Sequence, residues 1–443
     1  MSKSKIALRN FDVGIVGGGY AGLASAVTLA ERGINVTVYE TARRLGGRAR
    51  AVVHKGAILD NGQHLLIGAY RETLRLLESI GVPANHLLRL PLQLNVARQF
   101  SFRTANLPAP WHLLIGLIGC TGISASSRIA CVRFLANCRR ERFKLERDMT
   151  VTQLLRIHGQ DATLIRFLWA PLCVAALNTP IEQASAQVFL TVLRDSLGAD
   201  KHASDLILPR CDLSTMFPEP AADYVRAHGG RIRLGETVLR IDSGASDFSL
   251  STSAGRARHG AVVLASHPSR VAHLTGHLVG MSDPIRQIAA LSYEPIVTVY
   301  LHYRKSPHLP FPMIGLADGY TQWIFDRQAI VAQPGLVAAV ISARGRHQAL
   351  SNDELAQQVH DEIAAAFPPL EPPLWTRVIE EKRATFAARP NVERPDQCTP
   401  IPGLFLAGDY TRGEYPATLE AAVRSGLRCA QLASEHVSAR TAG

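Results

Sequence analysis

The sequence predicts an α/β fold: a parallel sheet wound with helices and interleaved with a second, α+β region. Three observations lead there. Asp12-Val-Gly-Ile-Val16 runs into Gly17-Gly-Gly-Tyr-Ala-Gly22 and an Ala/Leu-rich stretch to Arg32, and Ile34-Asn-Val-Thr-Val-Tyr-Glu40 follows. That order of strand, glycine loop, helix and strand is a Rossmann-type βαβ unit. Arg43-Arg-Leu-Gly-Gly-Arg48 comes next. Near the C-terminus, Gly403-Leu-Phe-Leu-Ala-Gly-Asp409 reads as a strand ending in Gly-Asp, and Pro416 opens an amphipathic helix to about Glu435.

Each residue type has a task. Gly17 permits the tight turn, Gly19 lets the main chain approach a diphosphate, and Gly22 lets the helix pack close to its strand. The helix N-terminus at Tyr20 and Ala21 offers free N–H groups and a positive dipole end to the anion. Glu40 stands at the end of the second strand, where a carboxylate bonds ribose hydroxyls and disfavours a 2′-phosphate. Arg44 and Arg48, flanking Gly46 and Gly47, can lay backbone and guanidinium against the pyrophosphate. Read alone, the same segment also suits a solvated basic turn.

A chain of 443 residues has room for two domains and a sizeable core. Its seven cysteines are odd in number and include no Cys-x-x-Cys pair. They read as the reduced thiols of a cytoplasmic protein, with no metal site. A short polar tail leads into the first strand with no secretory leader, and Ser438–Gly443 is expected to fray. Residues 1–80, 215–274 and 396–443 are expected to build the cofactor domain, and 81–214 and 275–395 the substrate domain. Strand-like runs at Arg231–Leu234, Glu236–Ile241 and Gly260–Ala265 belong to the first. Strands at Pro295–Leu301 and Gly335–Ile341 and an amphipathic helix over Asp353–Phe367 belong to the second.

Between Arg103 and Arg128 there is no Asp, Glu, Lys or Arg. The centre of that segment, 104–127, is Trp111-His-Leu-Leu-Ile-Gly-Leu-Ile118, too short to span a bilayer and interrupted by glycine and proline. Arg128, Arg133, Arg139, Arg140, Arg142, Lys144 and Arg147 follow. The pair suits a peripheral seat on an anionic membrane, or equally a buried core helix beside a solvated one. The net charge of +11 supports an anionic surface partner. Aromatic content of 6% and the lack of a recognisable module set nucleic acid aside.

The glycine loop, Glu40, Arg-x-Gly-Gly-Arg and Gly408-Asp409 together resemble the amine oxidase and phytoene desaturase superfamily of flavoproteins. The resemblance implies FAD as cofactor. It puts the Asp409 carboxylate at the ribityl–phosphate region, Thr418 and Leu419 at a helix N-terminus aimed at the flavin N1–C2 carbonyl, and Val238 against the adenine. Leu59-Asp-Asn-Gly-Gln-His64, Ala176-Leu-Asn-Thr-Pro180, Leu208-Pro-Arg-Cys-Asp212 and Pro416-Ala-Thr-Leu-Glu420 narrow it. With these the chain is similar to the hydroxysqualene dehydroxylase family, often labelled squalene-associated FAD-dependent desaturases. One departure is Tyr410, where that family is expected to carry Trp.

This narrower resemblance implies reductive removal of hydroxide from a long-chain isoprenoid alcohol, with squalene as product. A single dinucleotide fingerprint is present, so electrons for the flavin are expected from a separate reductase. Loss of hydroxide needs an acid. His64 is the first candidate, against a structural histidine bonded to backbone. Asp60 is a second, against a capping or pairing role. Asn178 and Thr179 either orient the hydroxyl or cap a helix start, and Asp195 and Glu414 remain. The rival activities are oxidative desaturation of phytoene or a similar polyene, and amine oxidation.

Overall fold

The computed structural model describes residues 12–198 and 200–442, with side chains through Arg440. The elements that position the site are, in chain order, β1 (Asp12–Val16), α1 (Tyr20–Glu31), β2 (Asn35–Glu40), β3 (Gln93–Val96), β4 (Phe100–Arg103), α2 (Trp111–Ile118), α3 (Ala125–Arg140), α4 (Ala170–Leu177), β5 (Arg231–Leu234) and β6 (Ala261–Leu264). They continue with β7 (Tyr293–His302), β8 (Met313–Gly315), β9 (Trp323–Asp326), β10 (Leu336–Ser342), α5 (Asn352–Ala366), β11 (Trp375–Phe386), β12 (Leu404–Leu406) and α6 (Leu419–Ala442).

The first sheet is parallel, in the order β5-β2-β1-β6-β12. It draws on three separated stretches of chain, and β1 and β6 at its centre are buried, as central parallel strands are. The buried side of α1 packs on α6: Ser25 Oγ donates to the Gly426 carbonyl at 2.8 Å. A Cβ on Gly426 would lie 2.2 Å from the Ala21 carbonyl oxygen, so only glycine permits this approach.

Helix α6 departs from expectation at both ends. It begins at Leu419, not Pro416, because the Thr418 hydroxyl caps it by accepting the Ala421 N–H at 3.1 Å. It also runs past Glu435 and is helical through Ser438 to Ala442, while Gly443 and the tail before Asp12 lie outside the described residues. Val238 opens a separate three-stranded antiparallel sheet, with its strand running Val238–Ser243 and not Glu236–Ile241.

The second sheet has seven strands in the order β11-β7-β10-β9-β8-β3-β4. Alternation gives it two faces. Val297, Val299, Leu301, Val337 and Ile341 point to one side and pack with Leu355, Val359 and Ile363 of α5. Ser351 and Glu354 form a capping box that starts α5 at Asn352. On the other side, the register sets Thr298, Val340, Trp323, Gly315, Val96 and Phe100 in one row across β7, β10, β9, β8, β3 and β4. Phe100 stacks on Phe167 at 5.9 Å between ring centroids. Helix α2 closes on the β4 edge, where a Cβ on Gly116 would meet the Arg103 carbonyl oxygen at 2.6 Å.

The two sheets are joined through the hairpin of Ala51–His54 and Ala57–Asp60. The Tyr300 hydroxyl on β7 donates to the Asp60 carbonyl at 3.0 Å. This places the far end of the hairpin, Gly62 to His64, against the β7 edge of the apolar row.

Candidate active site

The glycine loop after β1 is tied shut by main chain and by one carboxylate. Gly17 sits at φ +114°, a conformation L side chains rarely adopt, and a Cβ there would lie 2.4 Å from the Ala265 carbonyl oxygen. Glu40 accepts the Gly18 N–H through Oε2 and the Ala42 N–H through Oε1, both at 2.8 Å. A second glycine turn faces the first. The Gly46 N–H donates to the Gly18 carbonyl at 2.8 Å, and a Cβ on Gly47 would lie 3.4 Å from the Gly19 Cα.

Arg48 crosses from this turn to the end of the sheet. Its guanidinium donates to the Asp409 carboxylate at 2.6 Å and to the Ala384 carbonyl at 2.5 Å. Asp409 is buried, and the Gly408 N–H is held by the Ser425 hydroxyl at 3.0 Å. Val238 is buried beside Glu40, since the Glu236 N–H donates to the Glu40 carbonyl at 3.1 Å. Tyr20 turns its ring onto Phe217, at 4.7 Å between centroids, so its contribution to the loop is main chain, as is that of Ala21. Arg44 points to solvent.

These residues fit a flavin adenine dinucleotide. The first-turn N–H groups of α1 have no intrahelical acceptor. Gly19 and Gly47 approach each other with no side chain between them, Arg48 leads from this turn to Asp409, and Thr418 and Leu419 begin a helix beyond Asp409.

A polar cluster lies where the chain after the hairpin meets β7. The Thr298 hydroxyl accepts the Gln63 N–H at 3.4 Å and is 3.8 Å from where a Cβ on Gly62 would stand. His64 Nδ1 is 2.8 Å from the Gly62 carbonyl oxygen, which can only accept, so Nδ1 carries the proton and Nε2 a lone pair. Burial, the largest influence, draws the His64 pKa below its usual value.

Asp60 is not a free acid. It is paired with the fully buried Arg327 at 3.1 Å and accepts the Leu213 N–H at 2.8 Å. Burial raises its carboxyl, with Arg327 pulling the other way. Asn178 is likewise committed: it ends α4 at φ +46° instead of starting a helix. Its amide nitrogen donates to the Thr385 hydroxyl at 2.9 Å and the Pro295 carbonyl at 3.2 Å, and its oxygen accepts the Ala343 N–H at 2.7 Å. That clamps three segments and commits both ends of the amide. Thr179 donates to the Leu177 carbonyl and accepts the Ala388 N–H. Asp195 bonds Arg194 and Tyr415; burial acts to raise its carboxyl, but these bonds outweigh it and hold the carboxyl below the ordinary value. Glu414 is exposed and pairs with Arg194.

Sequence reasoning missed Arg327, Thr298 and Arg394. Arg394 donates to the Asp409, Tyr415 and Gly413 carbonyls, and burial lowers its pKa to about 10. Thr298 left one signal: it is the polar residue within the apolar run Ile296-Val-Thr-Val-Tyr300, on the same face as Tyr300. The arginines left none, since their partners are distant in sequence.

A family model of flavin containing amine oxidoreductases matches residues 20–434. A hydroxysqualene dehydroxylase of Rhodopseudomonas palustris is 30% identical over 95% of this chain and 97% of its own, and one of Zymomonas mobilis is 28% identical over 95% and 99%. A zeta-carotene desaturase of Solanum lycopersicum is 24% identical over 94% of this chain and 79% of its own. The solved structure of cyclohexylamine oxidase from Brevibacterium oxydans shares the fold, with a TM-score of 0.69 at 17% identity over 96% of this chain and 99% of that one. The cofactor cradle and these end-to-end matches agree: the chain belongs to the flavin containing amine oxidoreductase family and, within it, to the hydroxysqualene dehydroxylases.

Proposed function

We propose that the protein removes the hydroxyl group of hydroxysqualene reductively, giving squalene, with FAD as cofactor. The observation that carries this reading is the row from Thr298 to Phe100. A hydroxyl and an imidazole stand at the cofactor end, and apolar side chains line the rest of that sheet face. A long isoprenoid lies on such a floor without losing polar partners, whereas an ammonium group finds no charge in that row to pair with. The polar end favours an alcohol over the polyene of a desaturase.

The chemistry balances as alcohol plus proton plus hydride giving hydrocarbon plus water. Reduced FAD, when bound, supplies the hydride. The protein must deliver the proton and keep water out. Neutral His64 Nε2 accepts a hydrogen bond from the substrate hydroxyl, and on protonation the same nitrogen gives its proton to the departing oxygen. The apolar wall prevents recapture of the cation by water. A separate reductase returns electrons to the flavin. In this reading the cofactor domain comprises 1–80, 215–274 and 396–443, and the substrate domain 81–214 and 275–395.

Anaerobic incubation of the holoenzyme with hydroxysqualene and chemically reduced FAD, followed by mass spectrometry of the lipid extract, tests the reading. Squalene should appear at the expense of the alcohol. Unchanged alcohol beside bound, reduced flavin refutes it, and phytoene with oxidised FAD then becomes the assay. Because the His64 pKa lies below its ordinary value, the donor form dwindles as pH rises through that value. Turnover should therefore fall about tenfold per pH unit above it. His64→Gln should be slow and flat with pH; an unchanged slope in that variant excludes His64 as the donor.

A further inference from the structure

We infer that the outer face of α2, with the exposed face of α3, seats the protein on an anionic lipid bilayer. The inference rests on the isoprenoid-substrate reading and names the surface that serves it.

Helix α2 has two apolar faces. Leu113 and Leu117 point inward and line a cavity of about 20 Å³ together with Leu94, Phe102 and Trp169. Trp111, Ile115 and Ile118, at helical spacings of four and three, point outward and are 60%, 44% and 66% exposed. Leu107 before the helix and Ile129 on α3 extend this face. Among the described residues, these five are drawn from twelve large hydrophobic side chains left exposed, a concentration that a solvated surface does not need.

Along this stretch of chain the charge is of one sign. No Asp or Glu occurs between Arg103 and Glu141, and that stretch carries Arg128, Arg133, Arg139 and Arg140. Arg128 is fixed at one end of α2 by donating to the Cys120 carbonyl at 2.6 Å. Beside the other end, Lys201 donates to Asn106 at 2.9 Å. Arg133 and Arg140 follow Ile129 on the exposed side of α3. Acids stand at the margins, with Asp161 accepting from Ser127 at 2.5 Å, Asp200 next to Lys201, and Glu141 paired with Arg140 at 3.1 Å, so the basic excess lies along α3. An apolar helix face beside such a basic flank is complementary to acidic headgroups over acyl chains. Among the described residues no helix is long and apolar enough to cross a membrane, so the contact is a seat on one leaflet.

The seat has a direction. From α2 the apolar row leads across β4, β3, β8, β9 and β10 to Thr298 on β7. Five strand spacings make that path about 24 Å. A lipid leaving the bilayer at α2 thus meets Leu113, Leu117 and Phe102 first and the cofactor edge last.

The test is sedimentation of the FAD-loaded protein with vesicles of equal parts phosphatidylglycerol and phosphatidylcholine, against vesicles of phosphatidylcholine alone. Binding is expected to the first, weakened by high salt. The variant W111S/I115S/I118S should keep its flavin absorbance and its turnover of detergent-dispersed alcohol, yet need about 100-fold more lipid. R133E/R140E should need about tenfold more. The inference is overturned if the parent protein stays in the supernatant with anionic vesicles. It is equally overturned if the triple variant binds as well as the parent. A triple variant that turns a lipid-free dimer into a monomer would assign the face to a second copy of the chain instead. Vesicle binding without squalene formation sinks the dehydroxylase reading alone, and squalene formation without vesicle binding sinks the membrane seat alone.

Discussion

Gly22→Ala is expected to yield a colourless protein. The added Cβ would stand 2.0 Å from the Gly17 carbonyl oxygen and 3.2 Å from the Ala265 Cβ. The first obstacle is main chain, so no side-chain rotation relieves it. Either the glycine loop shifts or α1 slides along its strand, and both displace the first-turn N–H groups of α1 that would hold the pyrophosphate. Overpacking of this kind costs about 3 kcal/mol, about 100-fold in FAD affinity. Gly413→Ala is the matched control, because a Cβ there meets nothing within 4 Å. Flavin absorbance after titration with FAD decides the matter: a yellow Gly22→Ala protein of parental affinity would show that the loop is not the cofactor's seat.

Arg327→Met should be the most destabilising single change at the join between the sheets. Arg327 and Asp60 are both almost wholly buried, and the guanidinium also donates to Gln63 and Gln333, each at 3.0 Å. Methionine fills the space but leaves a buried carboxyl without its counter-charge, at a cost of about 3–5 kcal/mol. The sign with pH follows from Asp60, whose folded-state pKa is already raised and rises further without Arg327. A raised carboxyl pKa favours folding below the unfolded value of about 4 and costs stability as pH climbs above it. The variant should therefore be less impaired in acid than at neutrality. Asp60→Asn added to Arg327→Met should restore much of the loss and remove this dependence. Urea unfolding measures both, and a loss under about 1 kcal/mol near neutrality would show the pair to be dispensable.

What could be read in advance divides by distance along the chain. The glycine loop was legible because its demands are local: a left-handed turn at Gly17 and a close approach at Gly22 arise within one βαβ unit. Helix α5 was legible for the same reason, its Ser351–Glu354 box starting it within one residue of the expected Asp353. Asp60 looked like a candidate acid because Arg327 lies 267 residues away. Asn178 looked like a helix start because the apolar run before it has no phase to reveal direction. Its tolerance of the left-handed region made it the end. Pro416 suggested a helix opening, but Thr418 holds the stronger cap. The apolar row is a property of strand register, which pairs residues from four separated stretches and has no one-dimensional signature.

The first sheet is completed by β12, and α6 then covers α1. During translation this order matters. The glycine loop is made before β2, while Asp409 and the helix that shields α1 follow only after β12. Until then the nascent chain carries an uncovered apolar helix and half a cradle, and long-range parallel pairing is slow to form. A complete flavin cradle therefore requires β12 and α6, and a chain arrested before β12 should be pale and prone to aggregate.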